Sequence, residues 1–245
     1  MKNEYNAPLN HDVKAEFDLI AEEYSSNLQA AISITGEPPN FFAEYKVADC
    51  LEKLNSLDVP FNTILDFGSG VGNSIPFFRK YFPKSNLLCA EISKRSMEIS
   101  KNRFPGSELY YLIEDKVPVA SDSVDVIFSA CVFHHIPIRE HLFWLGELMR
   151  VLKPGGMLFI YEHNPLNPLT LRAVKNSPID INAQLISANE LIGEVMMAGF
   201  SRPTKAYKLF FPRWFSKLRF LERYLGQIFL GAQYRVCCFK HCKVD

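Results

Sequence analysis

The sequence lacks the long apolar run that a membrane-spanning helix needs, because no stretch of its 245 residues approaches about 18 consecutive apolar residues. It also lacks an excess of charge: 27 basic residues balance 27 acidic ones. This balance disfavours a strongly basic nucleic-acid-binding protein and an acidic disordered chain. The first residues, MKNEYNAPLN, contain no basic segment followed by an apolar one, so we expect a cytoplasmic protein without a secretory signal.

The six cysteines lack paired C-x-x-C spacing, and most lie inside apolar segments, where a reduced thiol behaves as a small buried hydrophobic group. Neither a disulfide framework nor a zinc site is therefore predicted, and we expect no metal site. The cysteines are Cys50, Cys89, Cys131, Cys237, Cys238 and Cys242.

The neutral total conceals an uneven distribution of charge along the chain. Residues 1–60 contain eleven acidic and four basic residues, whereas residues 201–245 contain ten basic and two acidic residues. Any electrostatic attraction for a partner is therefore expected at the C-terminal end.

Short β-branched and apolar segments alternate with helical ones from residue 62 onward, and this alternation predicts βαβ units with a parallel sheet. Helices are predicted over residues 13–28, 41–57 and 138–152, and from a capping box at Ser187 to Gly199. The predicted strands are TILDFG (63–68), NLLCAEI (86–92), ELYYLI (108–113), VDVIFSACVF (124–133), GMLFIYEH (156–163), AYKLFF (206–211) and QYRVCCFK (233–240).

The segment between the last two predicted strands is basic and aromatic, and we expect a helix over residues 213–229. Its helical stripe consists of Trp214, Leu218, Leu221, Leu225 and Ile228. Such a stripe is most often core. The other aromatic residues exceed what one buried face needs, so the wall of a substrate pocket and a membrane-surface contact are the alternatives.

The sharpest local signal is DFGSGVG at residues 66–72, at the end of the first predicted strand and before a helical segment. Glycines there allow positive φ and close approach of a ligand to the backbone. The spacing is not that of the dinucleotide fingerprint, because Asn73 stands where a glycine is needed. Asp66 suits a ligand with an ammonium and a sulfonium group. Glu91, at the end of the second strand, suits ribose hydroxyls.

Four ordered motifs resemble the class I S-adenosylmethionine-dependent methyltransferases of the small-molecule type. ILDFGSGVG is similar to the family's first motif, AEIS to its second-strand acid, VDVIFSACVFHHIP to its fourth-strand segment and LMRVLKPGGMLFIYEH to its fifth. The resemblance implies S-adenosylmethionine as the cofactor and an α/β fold with a doubly wound, mostly parallel seven-stranded sheet whose last strand is antiparallel. The cofactor residues that it implies are Asp66, Gly68, Ser69, Gly70, Gly72, Glu91, Ile92 and Ala130.

The resemblance implies two further cofactor contacts, and each of them has an alternative explanation. After the third strand, IEDKVPV departs from the family's D-A-x-x-L-P-F pattern by a shorter gap to the proline. Either Glu114 or Asp115 is expected to meet the adenine amino group, and either is equally interpreted as a solvated loop acid. Tyr24 matches the tyrosine that closes over the cofactor from the family's N-terminal lid helix, or it is an ordinary aromatic residue of the helix core.

The chemistry expected at the mouth of the sheet is an in-line displacement, which needs alignment of the reacting atoms and no metal. An acceptor that loses a proton also needs a base. The candidates are His134 and His135 after the fourth strand and Glu162 and His163 at the end of the fifth. The alternative is that these side chains only satisfy polar groups of the loops.

The sequence therefore favours a methyltransferase that acts on a small or lipid-like acceptor. Residues 1–58 are expected to form a helical lid and residues 59–245 the cofactor-binding domain, with a helical insertion at 213–231. No nucleic-acid partner is expected. A nicotinamide-dependent oxidoreductase is disfavoured by Asn73 and Asp66, and a non-catalytic relative that only binds the cofactor or a protein stays open.

Overall fold

The computed structural model describes residues 17–19, 21–32 and 35–241. Within these residues a seven-stranded sheet forms the centre of the fold. Its strands are β1 (Thr63–Phe67), β2 (Asn86–Glu91), β3 (Leu109–Leu112), β4 (Val124–Ala130), β5 (Leu152–His163), β6 (Ser201–Lys208) and β7 (Gln233–Phe239). They lie in the order β3-β2-β1-β4-β5-β7-β6. The first five are parallel, and β7 is antiparallel to both of its neighbours.

This topology confirms the predicted doubly wound sheet. The strand order reverses at β1, which lies between β2 and β4, and the crevice at the carboxyl ends of such strands is where open α/β sheets bind ligands.

Helices cover both faces of the sheet, and the helices predicted near residues 41–57, 138–152 and 187–199 are present. The helices are α1 (Tyr24–Ile32), α2 (Pro39–Leu57), α3 (Ile75–Tyr81), α4 (Lys94–Arg103), α5 (Ile138–Val151), α6 (Pro168–Lys175), α7 (Ala188–Met197) and α8 (Glu222–Leu225). The capping box predicted at Ser187 is formed with Glu190. Of the helix expected over residues 13–28, residues 13–16 and 20 lie outside the described part; residues 17–19 are helical, residues 21–23 form a turn, and α1 runs from Tyr24 to Ile32.

Neighbouring residues of the central strands pack on opposite sides of the sheet. Leu65 and Ile127 belong to one buried apolar cluster, while Ile64 and Val126 belong to the other. All four are essentially inaccessible to solvent. This arrangement explains the nearly continuous apolar character of these strands, since both of their faces are covered.

Three strands have boundaries that differ from the prediction, and β6 differs most, because it spans Ser201–Lys208 instead of residues 206–211. β4 ends at Ala130 rather than at residue 133, because Cys131 has φ of 59° and residues Phe133–His135 form a 3-10 turn. β5 begins at Leu152, so the segment KPGG starts the strand instead of separating it from α5.

The prediction of a continuous helix over residues 213–229 is wrong, and so is the prediction of a buried stripe. Residues Arg213–Leu221 form a 3-10 segment with a non-helical Phe215, followed by the short α8 and turns. None of the residues of the 3-10 segment is buried, and Trp214 is 64% exposed. In 3-10 geometry residues i and i+3 eclipse, so residues four apart, such as Trp214 and Leu218, do not share one face.

None of the helices formed by residues 17–19, 21–32 and 35–241 is both long enough and apolar enough to cross a membrane.

Candidate functional site

The loop after β1 is fixed against β2 by its own backbone. The N–H groups of Gly68 and Ser69 both donate to the carbonyl oxygen of Ala90, over 2.8 and 3.1 Å. Gly68 has φ of +75°, and a Cβ at this position would lie 2.4 Å from Val132 Cγ2. Residue 68 must therefore be glycine for two reasons: the loop after β4 passes too close for a side chain, and the backbone has positive φ.

Asp66 presents an unsatisfied carboxylate oxygen at the carboxyl end of β1. The residue is 3% exposed, and its Oδ2 atom has no hydrogen-bond partner among the described residues. Burial, with a contribution from the Glu91 charge, raises the pKa of Asp66 to about 7. A buried acceptor without a donor is costly, so this atom suits a ligand that brings a hydrogen-bond donor or a positive charge.

Glu91 links the second strand to the glycine loop. Its carboxylate accepts hydrogen bonds from the backbone N–H groups of Gly70, Ile92 and Ser93, over 2.7, 2.9 and 2.9 Å. Burial raises the pKa of Glu91, and these three hydrogen bonds act against that effect. The acid is thereby held at the base of the same crevice as Asp66.

A cavity of about 520 Å³ opens over these strand ends. Most cofactor residues predicted from the sequence line it, namely Asp66, Gly68, Ser69, Gly70, Glu91, Ile92 and Ala130. Ile113 also lines the cavity, whereas Glu114 and Asp115 are exposed and lie outside the lining. Gly72 lies outside the lining as well, in the turn that leads to α3. The side chain of Tyr24 is outside the described part of the chain.

The candidate catalytic residues after β4 and β5 form one buried charge cluster. His134 Nδ1 lies 2.5 Å from Glu162 Oε2, and His134 Nε2 lies 3.3 Å from Asp180 Oδ1. Burial opposes protonation of His134, but the two carboxylates raise its pKa to about 10. Burial would also raise the pKa of Glu162, but the charge of His134 outweighs burial and lowers that pKa to about 2. His134 is therefore an imidazolium between two carboxylates. Glu162 also accepts from the N–H groups of Val132 and Phe133 and so fixes the turn.

His135 has the opposite electrostatic character. Burial and the neighbouring charge of His134 lower its pKa to about 3, so its ring is neutral at pH 7. Its Nε2 atom lies 3.6 Å from Asp180 Oδ1, and its ring packs edge-on against Phe17 with 4.9 Å between ring centroids. Its ring lines the cavity and is free to accept a proton, unlike His134, but its low pKa makes it a weak base.

His134, His135 and Asp180 place their nitrogen and oxygen ligand atoms within 4.8 Å of one another. The ion pairs described above account for this grouping without a metal. Asp180 was missed by sequence reasoning, because it lies on a 3-10 turn (Pro178–Asp180) with no motif and reaches the histidines only through the tertiary fold.

Sequence reasoning also missed a polar group on the cavity wall. Cys131, interpreted above as a buried thiol, lines the cavity together with Lys46 and Gln233. Lys46 Nζ donates to Cys131 Sγ over 3.1 Å, and Gln233 Nε2 approaches the same sulfur at 3.7 Å. No sequence motif relates residues 46, 131 and 233. Cys131 lies inside the strand predicted over residues 124–133, and only the fold places it directly after β4.

Helix α2, which carries Lys46, is anchored to the sheet by a buried ionic network one turn further along. Asp49 accepts hydrogen bonds from Tyr161 of β5, Arg235 of β7 and Lys208 of β6, over 2.8, 2.6 and 2.5 Å. Arg235 and Lys208 more than offset the effect of burial and hold the pKa of Asp49 below its usual value. The position of Lys46 over the strand ends is therefore fixed by α2 as a whole.

Comparison with known proteins finds a family that matches the part of the chain that carries the glycine loop. Residues 65–160 match a family described as a methyltransferase domain. Trans-aconitate 2-methyltransferase of Azoarcus sp. (strain BH72) is 26% identical over 129 residues, which are 53% of this chain and 50% of that protein. The chain spans about half the length of the curated relatives it matches.

Solved structures share the fold over nearly the whole chain. A methyltransferase of Thermotoga maritima, described as a possible histamine N-methyltransferase, has a TM-score of 0.66 at 19% identity and covers 93% of this chain and 99% of its own. Phosphoethanolamine N-methyltransferase 2 of Haemonchus contortus, in complex with S-adenosyl-L-methionine, has a TM-score of 0.66 at 14% identity and covers 94% of this chain and 60% of its own. The family match over residues 65–160, these folds and the glycine loop with its two acids agree with the resemblance seen in the sequence, which is to the class I S-adenosylmethionine-dependent methyltransferases.

Proposed function

We propose that this protein transfers a methyl group from S-adenosylmethionine to a small, largely apolar or lipid-like acceptor by in-line displacement. The observation that carries the proposal is the unpartnered, buried Asp66 Oδ2 atom beside the glycine loop. A dinucleotide would place a pyrophosphate there, and its negative charge would meet a carboxylate.

The residues of the crevice fit the proposed cofactor. Asp66 would hold the ammonium of the methionine part, and Glu91 would accept from the ribose hydroxyls through the lone pairs that its backbone partners leave free. A Cβ at Gly70 would meet nothing within 4 Å, so this loop leaves open space above it. When bound, S-adenosylmethionine supplies an electrophilic methyl group on a sulfonium; the protein supplies alignment and excludes water.

The acceptor class is inferred from the rest of the cavity. Away from the strand ends its wall is mainly apolar and includes Phe41, Phe42, Leu169, Phe211 and Trp214. Such a wall binds an apolar body and leaves only a few polar atoms to orient the reacting group. The trans-aconitate and phosphoethanolamine enzymes among the similar proteins act on small molecules by name, which supports a small acceptor in general and neither of these two in particular.

His135 is the proposed general base for an acceptor that loses a proton. It is neutral, lines the cavity and lies next to Asp180. Because its pKa is low, it would take the proton only as the acceptor atom becomes acidic on bonding to the methyl group, and Asp180 would then stabilise the imidazolium. His134 and Glu162 hold the turn that carries it. His163 lines the cavity 5.1 Å from the His134 ring, measured between centroids, and is the alternative base.

The surface around residues 213–230 supports a membrane contact. Large apolar side chains are exposed there beside basic ones, and Trp214 belongs both to this surface and to the cavity wall. We call this surface the 213–230 face. Its exposed apolar residues are Trp214, Phe215, Leu218, Phe220, Tyr224, Ile228, Phe229 and Leu230. Together with Lys217 and Arg223 they match the mixed apolar and basic character of segments that lie on anionic membranes, and a lipid-like acceptor would then enter from the bilayer.

The test is equilibrium binding followed by a product screen. S-adenosylhomocysteine should raise the melting temperature, because a ligand that binds only the folded state stabilises it by about 2.7 kcal/mol at a hundredfold excess over Kd. NAD and NADP should leave the melting temperature unchanged. The protein is then incubated with S-adenosylmethionine and a panel of small acids, amines, quinols and lipids, and S-adenosylhomocysteine is measured.

Stabilisation by the dinucleotides alone would overturn the proposal. Binding of the cofactor without product from any acceptor would favour the non-catalytic relative. Once an acceptor is known, His135→Asn should lower turnover by about 10²–10⁴-fold with little change in cofactor affinity, and His163→Asn serves as the comparison.

A further inference from the structure

The Cys131 thiol differs from the other described cysteines in its surroundings. Cys50, Cys89, Cys237 and Cys238 are buried in the apolar core, and burial raises the pKa of Cys50, Cys89 and Cys238. Cys131 is only partly buried and faces the cavity, with its backbone in the left-handed region at φ of 59°. Non-glycine residues in that region store strain and cluster at functional sites.

Lys46 needs an anion, and Cys131 is the partner that the fold gives it. Lys46 is 7% exposed, and an unpaired buried ammonium is strongly unfavourable. Lys46 Nζ lies 3.1 Å from Cys131 Sγ, so a negative charge on the sulfur would compensate the buried ammonium. The Asp49 network fixes α2, so Lys46 cannot easily turn away to solvent.

The charged and polar groups that face the sulfur come from three further elements. His163 and Glu162 lie on β5, Gln233 on β7 and His134 on the turn after Cys131. Burial raises the pKa of Cys131, but Lys46 and His163 more than offset burial and Glu162, and the resulting pKa is about 6. The thiolate is therefore the main form at pH 7.

Gln233 adds an independent sign that this wall receives a ligand. It is 7% exposed, its amide nitrogen approaches Cys131 Sγ, and its Oε1 atom is buried without a hydrogen-bond partner among the described residues. A buried amide oxygen that lines a cavity calls for a donor on whatever occupies the cavity.

We propose that Cys131, paired with Lys46 beneath Gln233, is a covalent modification site for α,β-unsaturated carbonyl compounds that enter the acceptor cavity. The sulfur attacks the β-carbon and a C–S bond forms. The π pair moves through the α-carbon to the carbonyl, and Lys46 supplies the proton that the resulting enolate takes up. The thiolate and the ammonium become a thioether and a neutral amine, so no unpaired charge is left buried.

This inference does not depend on methyl transfer, because its chemistry needs neither S-adenosylmethionine nor an acceptor. The adduct would occupy the wall of the acceptor cavity. Compounds of this class would then act as covalent blockers of the site, whatever reaction the site performs.

The test is alkylation of the full chain by N-ethylmaleimide without added cofactor, at several pH values between 5 and 9, with peptide mapping by mass spectrometry. Cys131 should be modified before the other cysteines, with a midpoint of its pH profile near 6. In Lys46→Met the midpoint should move above about 8, toward that of an ordinary thiol. Lys53→Met, a substitution on the same helix away from the cavity, should leave the profile as in the wild type.

Preferential modification of another cysteine, or a wild-type midpoint at that of an ordinary thiol, would overturn the proposal even if Lys46→Met failed to fold. An unchanged midpoint in a folded Lys46→Met protein would also overturn it. A positive labelling result together with no binding of S-adenosylhomocysteine would contradict the proposed function and leave this inference standing.

Discussion

The Glu91 carboxylate accepts a 2.7 Å hydrogen bond from the backbone N–H of Gly70, across the gap between the second strand and the glycine loop. The same carboxylate accepts from the N–H groups of Ile92 and Ser93. One side chain thus sets the shape of the loop and presents an acid to the cavity. Its removal should therefore affect both ligand affinity and the order of the loop.

Glu91→Ala is expected to weaken binding of S-adenosylhomocysteine by roughly 1.5–3 kcal/mol, the range for hydrogen bonds that involve a charged group. Titration calorimetry measures the effect. Glu52→Ala, an exposed acid on α2, is the matched control and should bind as the wild type does. Equal affinities of all three proteins would reduce Glu91 to a loop-positioning residue.

The affinity for S-adenosylhomocysteine is expected to rise with pH and to level off near pH 7. The unliganded protein has Asp66 with its pKa raised to about 7, so below this pH the carboxyl is mostly protonated and must lose its proton to pair with an ammonium. Below pH 7 the affinity can rise by up to tenfold for each pH unit. Calorimetry between pH 5.5 and 8 checks it. In Asp66→Asn the curve should be flat and the affinity low throughout, and a wild-type curve equally flat would show that Asp66 does not titrate on binding.

The raised pKa of Asp66 also predicts how the stability of the unliganded protein changes with pH. A carboxyl with a raised folded-state pKa stabilises the folded protein at low pH, and this contribution is lost as the pH rises from about 4 to about 7. Asp66→Asn should therefore gain stability relative to the wild type across this window. Urea unfolding at pH 4.5 and at pH 7.5 measures the difference, and a constant difference between the two proteins would contradict it.

Gly68→Ala is expected to destabilise the fold strongly, because its Cβ would overlap Val132 and its backbone has positive φ. Strain at one such position typically costs about 1–3 kcal/mol before the steric overlap is added. Gly146→Ala in α5 is the control: nothing lies within 4 Å of the added methyl, and alanine favours helix by up to about 1 kcal/mol. The melting temperature should fall for Gly68→Ala and rise for Gly146→Ala. A shift in the same direction for both variants would contradict the requirement for glycine at residue 68.

The sequence was informative where the determinants are local. The ends of β1 and β2, the glycine loop and the Ser187 capping box follow from apolar periodicity, from positive-φ glycines and from side chains within a few residues of one another. Lys46 and Cys131 are 85 residues apart, and their contact depends on how α2 lies over the sheet, which no local pattern encodes. Residues 213–229 were assigned to a helix on spacing, but no described element buries their apolar side chains, so the short-range 3-10 geometry prevails.

Binding to anionic vesicles is expected if the 213–230 face contacts a membrane. Each Lys or Arg near an anionic surface contributes about 1 kcal/mol, and salt should release the protein because the Debye length falls from about 10 Å at 0.1 M to about 3 Å at 1 M. Co-sedimentation with phosphatidylglycerol and phosphatidylcholine vesicles measures the binding.

Matched charge reversals give the control for this experiment. Lys217→Glu with Arg223→Glu should abolish sedimentation, whereas Lys84→Glu with Lys116→Glu changes the net charge equally at exposed sites elsewhere and should not. No binding of the wild type to either kind of vesicle would leave the 213–230 face as the outer wall of the acceptor cavity.

The position of β7 between β5 and β6 sets an order for assembly during synthesis. β6 is translated before β7, yet it lies at the edge of the described sheet beside β7, so it cannot join the sheet until residues 233–239 leave the ribosome. Until then β5 presents an unpaired edge, and open strand edges recruit other chains. If a ribosome pauses shortly before codon 233, strands β1 to β4 of the nascent chain can already pair. The open edge of β5 and the unpaired β6 are then exposed to aggregation and to chaperones.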